Sequence, residues 1–509
     1  MTESLDYAYR RLVNIFGPER VSRSMQERIA YSHDFASMPR LAHLQWRLTP
    51  DFVVIPKTTE EIVRLVAFAF ESGLPLVPRG GGTGLYGGSV PNRGGVLVDM
   101  RGMDRVDSID RDARLMTVQA GVTWKNAYDR AWREGLFLPA YPVGAPASTI
   151  GGWISSNGIG YGSYKYGTAR DLIVDLEVVL PSGDIVHTGH PTLETGHALG
   201  NVSGVFVGGE GTTGIMTRAT LRLFPRPEEI RPLAYAFPSI RTSATVMPEF
   251  TEVSATPFHV AFLDELHVSF LRAVRGEDLP PQGLLTVVLE GPKDEIAEDQ
   301  KEVDAFVAGR GGTKLEEAVA RRLWDARFDL YPARRLSGGL AIAEALVPAK
   351  QYPRMIAGTD ALTRKLKLQV AANSSLVDRN TVAFTPYFLM DDLSPLGPSA
   401  LGFVKKLGDL AFSLGGHPMG LGLFLVFNIR RMHVGARGIL NAVKGVLDPN
   451  RKMNPGKTVE VWTKFTWPII NSIPLPIMGW GLDLAAFVRS LKLTQDRYAR
   501  PAGEYGRYR

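Results

Sequence analysis

Residues 79–89 read Arg-Gly-Gly-Gly-Thr-Gly-Leu-Tyr-Gly-Gly-Ser, directly after the apolar run LPLVP at 74–78. A strand running into so many glycines predicts a loop whose backbone reaches positive φ and comes close to a ligand. Successive N–H groups in such a loop converge into a concavity that suits an anion. No Gly-Lys-Ser/Thr closes the loop, and the strand–G-x-G-x-x-G–helix setting of a dinucleotide fold is absent, so neither common nucleotide fingerprint applies. Three further loops of this kind follow in order. Ser148–Gly158 places hydroxyls and glycines before and inside a short predicted helix, whose first amides suit a phosphate. Tyr164–Asp171 and Gly208–Ile215 complete the set.

The segments between these loops carry regular patterns. DFVVIP at 51–56 predicts a short buried strand. Thr58 or Thr59 can cap the helix that follows, with Ile62, Val63, Val66 and Phe70 on its apolar face. GVLVDM and LMTVQAG read as strands, and TWKNAYDRAWREG as a helix stopped by Gly135. Strands and helices mixed with glycine loops predict an α+β fold. After Pro227 the glycines thin out and amphipathic stretches appear at 293–309 and 315–330, marking a second domain. The expected organisation is a polar, helical lead-in at 1–50, a first domain at 51–226, a second at 227–440, a return segment at 441–462 and a distinct tail at 463–509.

Composition narrows the chemistry. At 509 residues and 45% apolar the chain can bury large cores without staples. It holds no cysteine, which removes disulfides, thiolate catalysis and cysteine-held zinc or iron–sulfur clusters from these residues. The net charge of +6 fits an anionic ligand or surface, but no block of five or six like charges and no zinc-finger spacing points to nucleic acid. The N-terminus lacks the basic and apolar regions of a secretory signal, so a cytoplasmic location is expected.

Together PRGGGTGLYGGSV (78–90), ASTIGGWISSNG (147–158), KYGTARDLIVDLEVVLPSGDIV (165–186), VGGEGTTGIMTRATLRLFPRPE (207–228) and LDPNRKMNPGK (447–457) carry a resemblance. The chain resembles the vanillyl-alcohol oxidase / p-cresol methylhydroxylase superfamily of FAD-linked oxidases, in the branch of the flavin-bearing glycolate oxidase chains and the D-lactate dehydrogenases. The resemblance implies a two-subdomain FAD-binding domain and an α+β substrate cap. It implies that Arg79, Gly80, Gly81, Gly82, Thr83, Gly84, Leu85, Gly87, Gly88 and Ser89 cradle the pyrophosphate. Ser148, Thr149, Gly151, Gly152, Ser155 and Asn157 would line the pyrophosphate and ribityl region, with Pro142, Gly158, Tyr166 and Gly167 in the same set. Glu210, Gly211, Gly214 and Ile215 would meet the adenosine end, and Asn454 would lie near the flavin ring. Some members tether the flavin through a histidine in the first loop. Thr83 stands there, none of the nine histidines falls in that loop, and non-covalent FAD is expected.

On the substrate side the branch binds a carboxylate through the arginine of W-x-x-R, matched by Trp324-Asp325-Ala326-Arg327. A guanidinium suits this task because its fork donates two parallel hydrogen bonds. The branch's G-E-H-G segment reads Gly415-Gly416-His417-Pro418, so His417 matches while Gly416 replaces a metal-ligating glutamate. The strand that would supply ligating histidines, VAFTPYFLMDD at 382–392, has none, and no metal is expected. His417 is expected as the base, with Tyr387 a weaker candidate. Ile342 stands near the position of the branch's lysine. The reading is an FAD-dependent dehydrogenase of a small, D-lactate- or glycolate-like hydroxy acid, by hydride transfer to flavin N5. Electrons would leave to a quinone or to a separate iron–sulfur or electron-carrier subunit. The alternatives are an oxygen-using alcohol or aromatic oxidase and a flavin electron-relay subunit.

The tail carries FTWPIINSIPLPIMGWGLDLAAF at 465–487, apolar but with three prolines that break a single helix, followed by basic residues. Trp467, Trp480, Arg489 and Lys492 suit an in-plane anchor, so a peripheral membrane contact through 465–492 is expected, with a partner subunit or the chain's own second domain as the alternatives.

Overall fold

The computed structural model describes residues 2–35, 46–190, 202–329, 332–337, 339–366, 368–390, 398–420, 422–423, 428, 431 and 434–460. The tail at 463–509, with its proposed anchor, lies outside the described residues. Local chemistry sets the element ends as expected. Thr58 Oγ1 accepts the Glu61 N–H, starting a helix at Thr59–Ser72 that ends on Gly73 at φ 68°. Thr123 caps Trp124–Arg133 in the same way, and such caps contribute on the order of 1 kcal/mol each. The Thr59–Ser72 helix buries Ile62, Leu65, Val66, Phe68 and Ala69, whereas Phe70 is 55% exposed. The buried stripe runs one position away from the one that would include Phe70.

The first domain holds two main sheets. One has the order Val21–Ser22, Phe52–Val54, Val96–Asp99, Leu76–Arg79, and its last three strands are parallel. The other is antiparallel, in the order Val106–Asp110, Leu115–Gln119, Ile215–Arg222, Ile173–Val179, Ile185–His187. The lead-in is part of this domain. Its helix Thr2–Phe16 buries Ala8, Leu12 and Phe16 in the first core, and Val21–Ser22 extends the first sheet.

The second domain is a nine-stranded sheet, mainly antiparallel. Its centre runs Glu229–Phe237, Gly283–Gly291, His259–Leu263, Ala371–Asp378, Thr381–Met390. The two domains exchange aromatic side chains. Phe258 and Trp324 of the second lie in the first domain's core, while Tyr86 and Tyr164 of the first lie in the second's. Residues 452–457 return to the first domain. Leu76 pairs with this return through its backbone (Leu76 N to Lys452 O, 2.9 Å; Asn454 N to Leu76 O, 2.8 Å). Lys444 is buried with its Nζ donating to Thr212 O, Asp448 Oδ2 and Met453 O, which pins the helix Val434–Leu447 to the fourth glycine loop.

Candidate active site

One cavity of about 510 Å³ runs between the domains, and the glycine loops form one of its walls. That wall is mainly backbone. A Cβ on Gly81 would stand 1.8 Å from Ala147 O, one on Gly80 2.1 Å from Thr149 Oγ1, and one on Gly211 2.4 Å from Pro78 Cγ. Gly211 also sits at φ 69°. The first, second and fourth loops are therefore packed at distances that only glycine allows. No backbone N–H of Gly80–Leu85 donates to an acceptor among the described residues. Backbone donors are nearly always paired in folded proteins, so six consecutive unpaired ones facing a cavity call for an acceptor supplied by a ligand. Arg79 lies beside them, its Nη1 donating to His33 O, and burial lowers its pKa. Thr83 Oγ1 and Ser148 Oγ are 2.8 Å apart across the groove. Thr149 is used locally, accepting the Gly152 N–H as the cap of helix Ile150–Ser155.

At the fourth loop Glu210 is buried at φ 48°. Its Oε1 accepts the Gly422 N–H, while Oε2 has no partner among the described residues, and burial raises its pKa. An orphaned carboxyl oxygen in the cavity wall fits a ligand hydroxyl. Lys457 is buried nearby, its Nζ donating to Val90 O, and desolvation lowers it to about 8. A pyrophosphate at the unpaired amides and a ribose hydroxyl at Glu210 would satisfy these groups, so this wall fits a flavin dinucleotide.

The opposite wall is one face of the nine-stranded sheet. Side chains alternate across a strand, so every second residue faces the cavity. These are His259, Ala261 and Leu263; Thr286 and Val288; Asn373, Ser375 and Val377; Ala383 and Thr385. They sit opposite one another in the register, as His259↔Val288, Ala261↔Ser375 and Asn373↔Thr385. Two helices close the sides. Glu265–Arg275 presents His267, Leu271 and Arg275 at four-residue spacing. Glu317–Asp325 and the turn after it present Ala320, Leu323, Trp324 and Arg327.

Arg327 stacks on Trp324 and Phe328, at 4.2 and 4.4 Å from the ring centroids. Its Nε donates to Tyr141 Oη (3.2 Å) and its Nη1 to Trp324 O (3.0 Å). It has no carboxylate partner among the described residues. Arg275 also lines the cavity but is already paired, with Asp329 at 3.3 Å and Glu277 at 3.6 Å. Both histidines of this wall are neutral at physiological pH, because burial lowers His259 to about 3 and His267 to about 4. His267 Nδ1 is 2.8 Å from Tyr387 Oη, which leaves Nε2 as its second ring nitrogen. His259 packs on Tyr161 at 4.5 Å, and its Nδ1 has no partner among the described residues. Glu344 lies where the walls meet, and burial pushes it up to about 7.

The cavity collects most of the residues singled out from sequence: Arg79–Leu85, Gly88, Ser89, Pro142, Ser148, Thr149, Gly151, Gly152, Ser155, Asn157, Gly158, Glu210, Gly211, Gly214, Ile215 and Arg327. The others lie elsewhere. His417 is exposed on the strand His417–Pro418, and its Nδ1 is 2.8 Å from Pro418 O. Pairing with Leu346 turns its side chain outward, and Met419 and Gly420 reach the cavity instead. Tyr166 Oη donates to Glu290 Oε1 at the domain boundary. Gly167 ends the helix Ser163–Tyr166, and Gly87 accepts the Val90 N–H. Asn454 holds two loops rather than lining the cavity, with Nδ2 donating to Gly88 O (2.8 Å) and Glu210 O (2.6 Å). Tyr387 lies one step from Thr385 on the cavity-facing side of its strand, but beneath His267. The residues that sequence reasoning missed are His259, His267, Arg275 and Glu344. The His267/Leu271/Arg275 spacing was the available signal. Among the described residues no group of three or more His, Cys, Asp or Glu side chains could hold a metal ion.

Residues 50–189 match the FAD binding domain family, and residues 226–458 match the C-terminal domain family of FAD linked oxidases. The chain is 29% identical over 461 residues to the glycolate oxidase subunit GlcD of Bacillus subtilis, covering 88% of this chain and 95% of that protein. It is 29% identical to a D-lactate dehydrogenase of Archaeoglobus fulgidus, over 81% of this chain and 93% of that one. Among solved structures, p-cresol methylhydroxylase superposes with a TM-score of 0.78 at 18% identity, over 91% of this chain and 98% of that one. An alkyldihydroxyacetonephosphate synthase superposes at 0.71 and 21% identity, over 89% of this chain and 85% of that one.

Proposed function

For a chain that belongs to the vanillyl-alcohol oxidase / p-cresol methylhydroxylase superfamily of FAD-linked oxidases, we propose the oxidation of a small 2-hydroxy acid to the 2-oxo acid by a dehydrogenase. The observation that carries this reading is Arg327, a cavity-lining guanidinium with no carboxylate partner among the described residues, in the same cavity as the buried neutral imidazole of His267. The curated relatives are glycolate- and lactate-oxidising proteins by name, which supports the same reading.

Bound flavin supplies the acceptor for a hydride leaving the hydroxyl-bearing carbon. Arg327 holds the substrate carboxylate by its fork, and the flanking rings of Trp324 and Phe328 keep the guanidinium planar to it. His267 takes the hydroxyl proton at Nε2, with Tyr387 Oη fixing the ring through Nδ1. Burial keeps it unprotonated and able to accept a proton, and the substrate carboxylate raises its basicity by stabilising the imidazolium. His417 has no part in this.

Thr83 in the first loop offers no tether for the flavin, which supports non-covalent FAD. With no cysteine in these 509 residues, an iron–sulfur relay for the electrons would have to sit on another chain, and a quinone or such a carrier is the acceptor of this reading. No helix among the described residues is long and apolar enough to cross a membrane. The apolar and basic sequence of 465–492 supports peripheral attachment, and removing 463–509 is expected to release the enzyme from membranes with its flavin retained. The central test is anaerobic. A 2-hydroxy acid added to the purified yellow protein should bleach the flavin and yield one 2-oxo acid per flavin. A panel of hydroxy acids that leaves the spectrum unchanged would refute the reading.

A further inference from the structure

We propose that the substrate carries a branched or aromatic apolar substituent on its hydroxyl-bearing carbon, seated against Leu263, Leu271 and Leu323. The proposal rests on the reading of Arg327 as the carboxylate anchor and adds the substrate's third group. Leu271 stands one helical turn from His267, and Leu323 one turn from Arg327. Leu263 ends the strand whose first residue, His259, faces the same cavity. The three leucines belong to a single apolar cluster with Val268, Leu279 and Leu284, made wholly of second-domain residues. Leu263 and Leu323 are only half-buried although they sit in that cluster, and both line the cavity. Apolar side chains left partly uncovered beside a ligand cavity gain by covering from an apolar ligand.

A 2-hydroxy acid has three anchors around one carbon. With the carboxylate at Arg327 and the hydroxyl at His267, the remaining substituent faces the leucines. Glycolate has nothing to place there and lactate only a methyl. A second carboxylate is disfavoured, because Arg275, the other cavity arginine, is held by Asp329, Glu277 and Ala326 O. The nearby hydroxyl of Thr286 is used within the sheet, donating to Ala261 O.

The test uses the full-length, FAD-loaded enzyme and the anaerobic rate of flavin bleaching with glycolate, lactate, 2-hydroxyglutarate, 2-hydroxyisocaproate and 3-phenyllactate, each chiral acid as both enantiomers. One methylene in a hydrophobic pocket discriminates by roughly 10–200-fold. The second-order rate for 2-hydroxyisocaproate or 3-phenyllactate should therefore exceed that for lactate by at least about 10-fold. Lactate, glycolate or 2-hydroxyglutarate reacting as fast or faster would overturn the pocket while leaving the oxidation itself standing. A panel that never bleaches would overturn both. Leu323→Phe, which fills the pocket, should lower the isocaproate-to-lactate ratio, and Leu323→Ala should shift preference toward phenyllactate. An unchanged ratio in both variants would also overturn the assignment.

Discussion

The two walls of the cavity are made of different material. The first-domain wall is mostly backbone: glycines packed loop on loop, with the amides of Gly80–Leu85 unpaired among the described residues. The opposite wall is side chains projected from a registered sheet face and two helices. A backbone wall tolerates almost no added atoms but is indifferent to most side-chain chemistry. A side-chain wall tolerates changes of shape yet depends on each functional group. Substitutions should therefore fail in different ways on the two sides.

The sharpest way to break this contrast is Gly81→Ala. Its Cβ would meet Ala147 O at 1.8 Å, so the loops must separate, and the purified variant should be colourless with retained circular dichroism. A yellow, fully active Gly81→Ala would show that the backbone wall is not the flavin cradle. On the other side His267→Gln should remain yellow while kcat falls by roughly 10²–10⁴, the usual contribution of a general base. Tyr387→Phe should fall less and shift the acid limb of the pH–rate profile, because it only orients the ring. Unchanged kcat in His267→Gln would remove it from the reaction.

Arg327→Lys comes next. A point charge replaces a planar fork, and loss of a charge-assisted contact of about 1.5–3 kcal/mol should appear in kcat/KM, mainly through KM. Wild-type kinetics would leave the carboxylate without an anchor. The smallest effect is on stability. His259 titrates near 3 when folded, below the usual value for an unfolded histidine. The unfolded chain then binds more protons between about pH 6.5 and 3, so this contribution to stability is lost as pH falls through that window, by at most about 1.4 kcal/mol per pH unit. His259→Phe keeps the ring against Tyr161, and Nδ1 has no partner to lose. Its melting temperature should fall less steeply with acid than that of the wild type. Parallel curves would mean that His259 is not held neutral.

The same contrast explains what could be read from sequence. Glycines are required where backbone meets backbone, so the cradle was written in residue identity and its loops were found in order. Thr58 and Gly135 marked helix ends because each satisfies or releases a specific backbone group. The side-chain wall has no such code. Whether a histidine faces the cavity depends on strand register and on which helical stripe packs inward. His417 lies in a two-residue strand whose pairing decides its direction, and nothing local announces that choice. His267 was hidden because a histidine beside leucines at helical spacing also describes an ordinary packed helix. Phe70 shows the same difficulty, since neighbouring apolar stripes on Thr59–Ser72 differ by one position. Arg327 was found because the tryptophan before it made a recognisable spacing.

The return segment has a consequence in time. Asn454 joins Gly88 O to Glu210 O, Lys457 reaches Val90 O, and Lys444 reaches Thr212 O, contacts spanning up to 367 positions of chain. During synthesis the glycine loops emerge first, and the residues that brace them emerge more than two hundred positions later. A nascent chain therefore carries an unbraced cradle through most of its translation. Pairings this distant in sequence form slowly, since a long loop must close before they are rewarded. The cradle is therefore complete only once the return segment has been made and has closed on the loops.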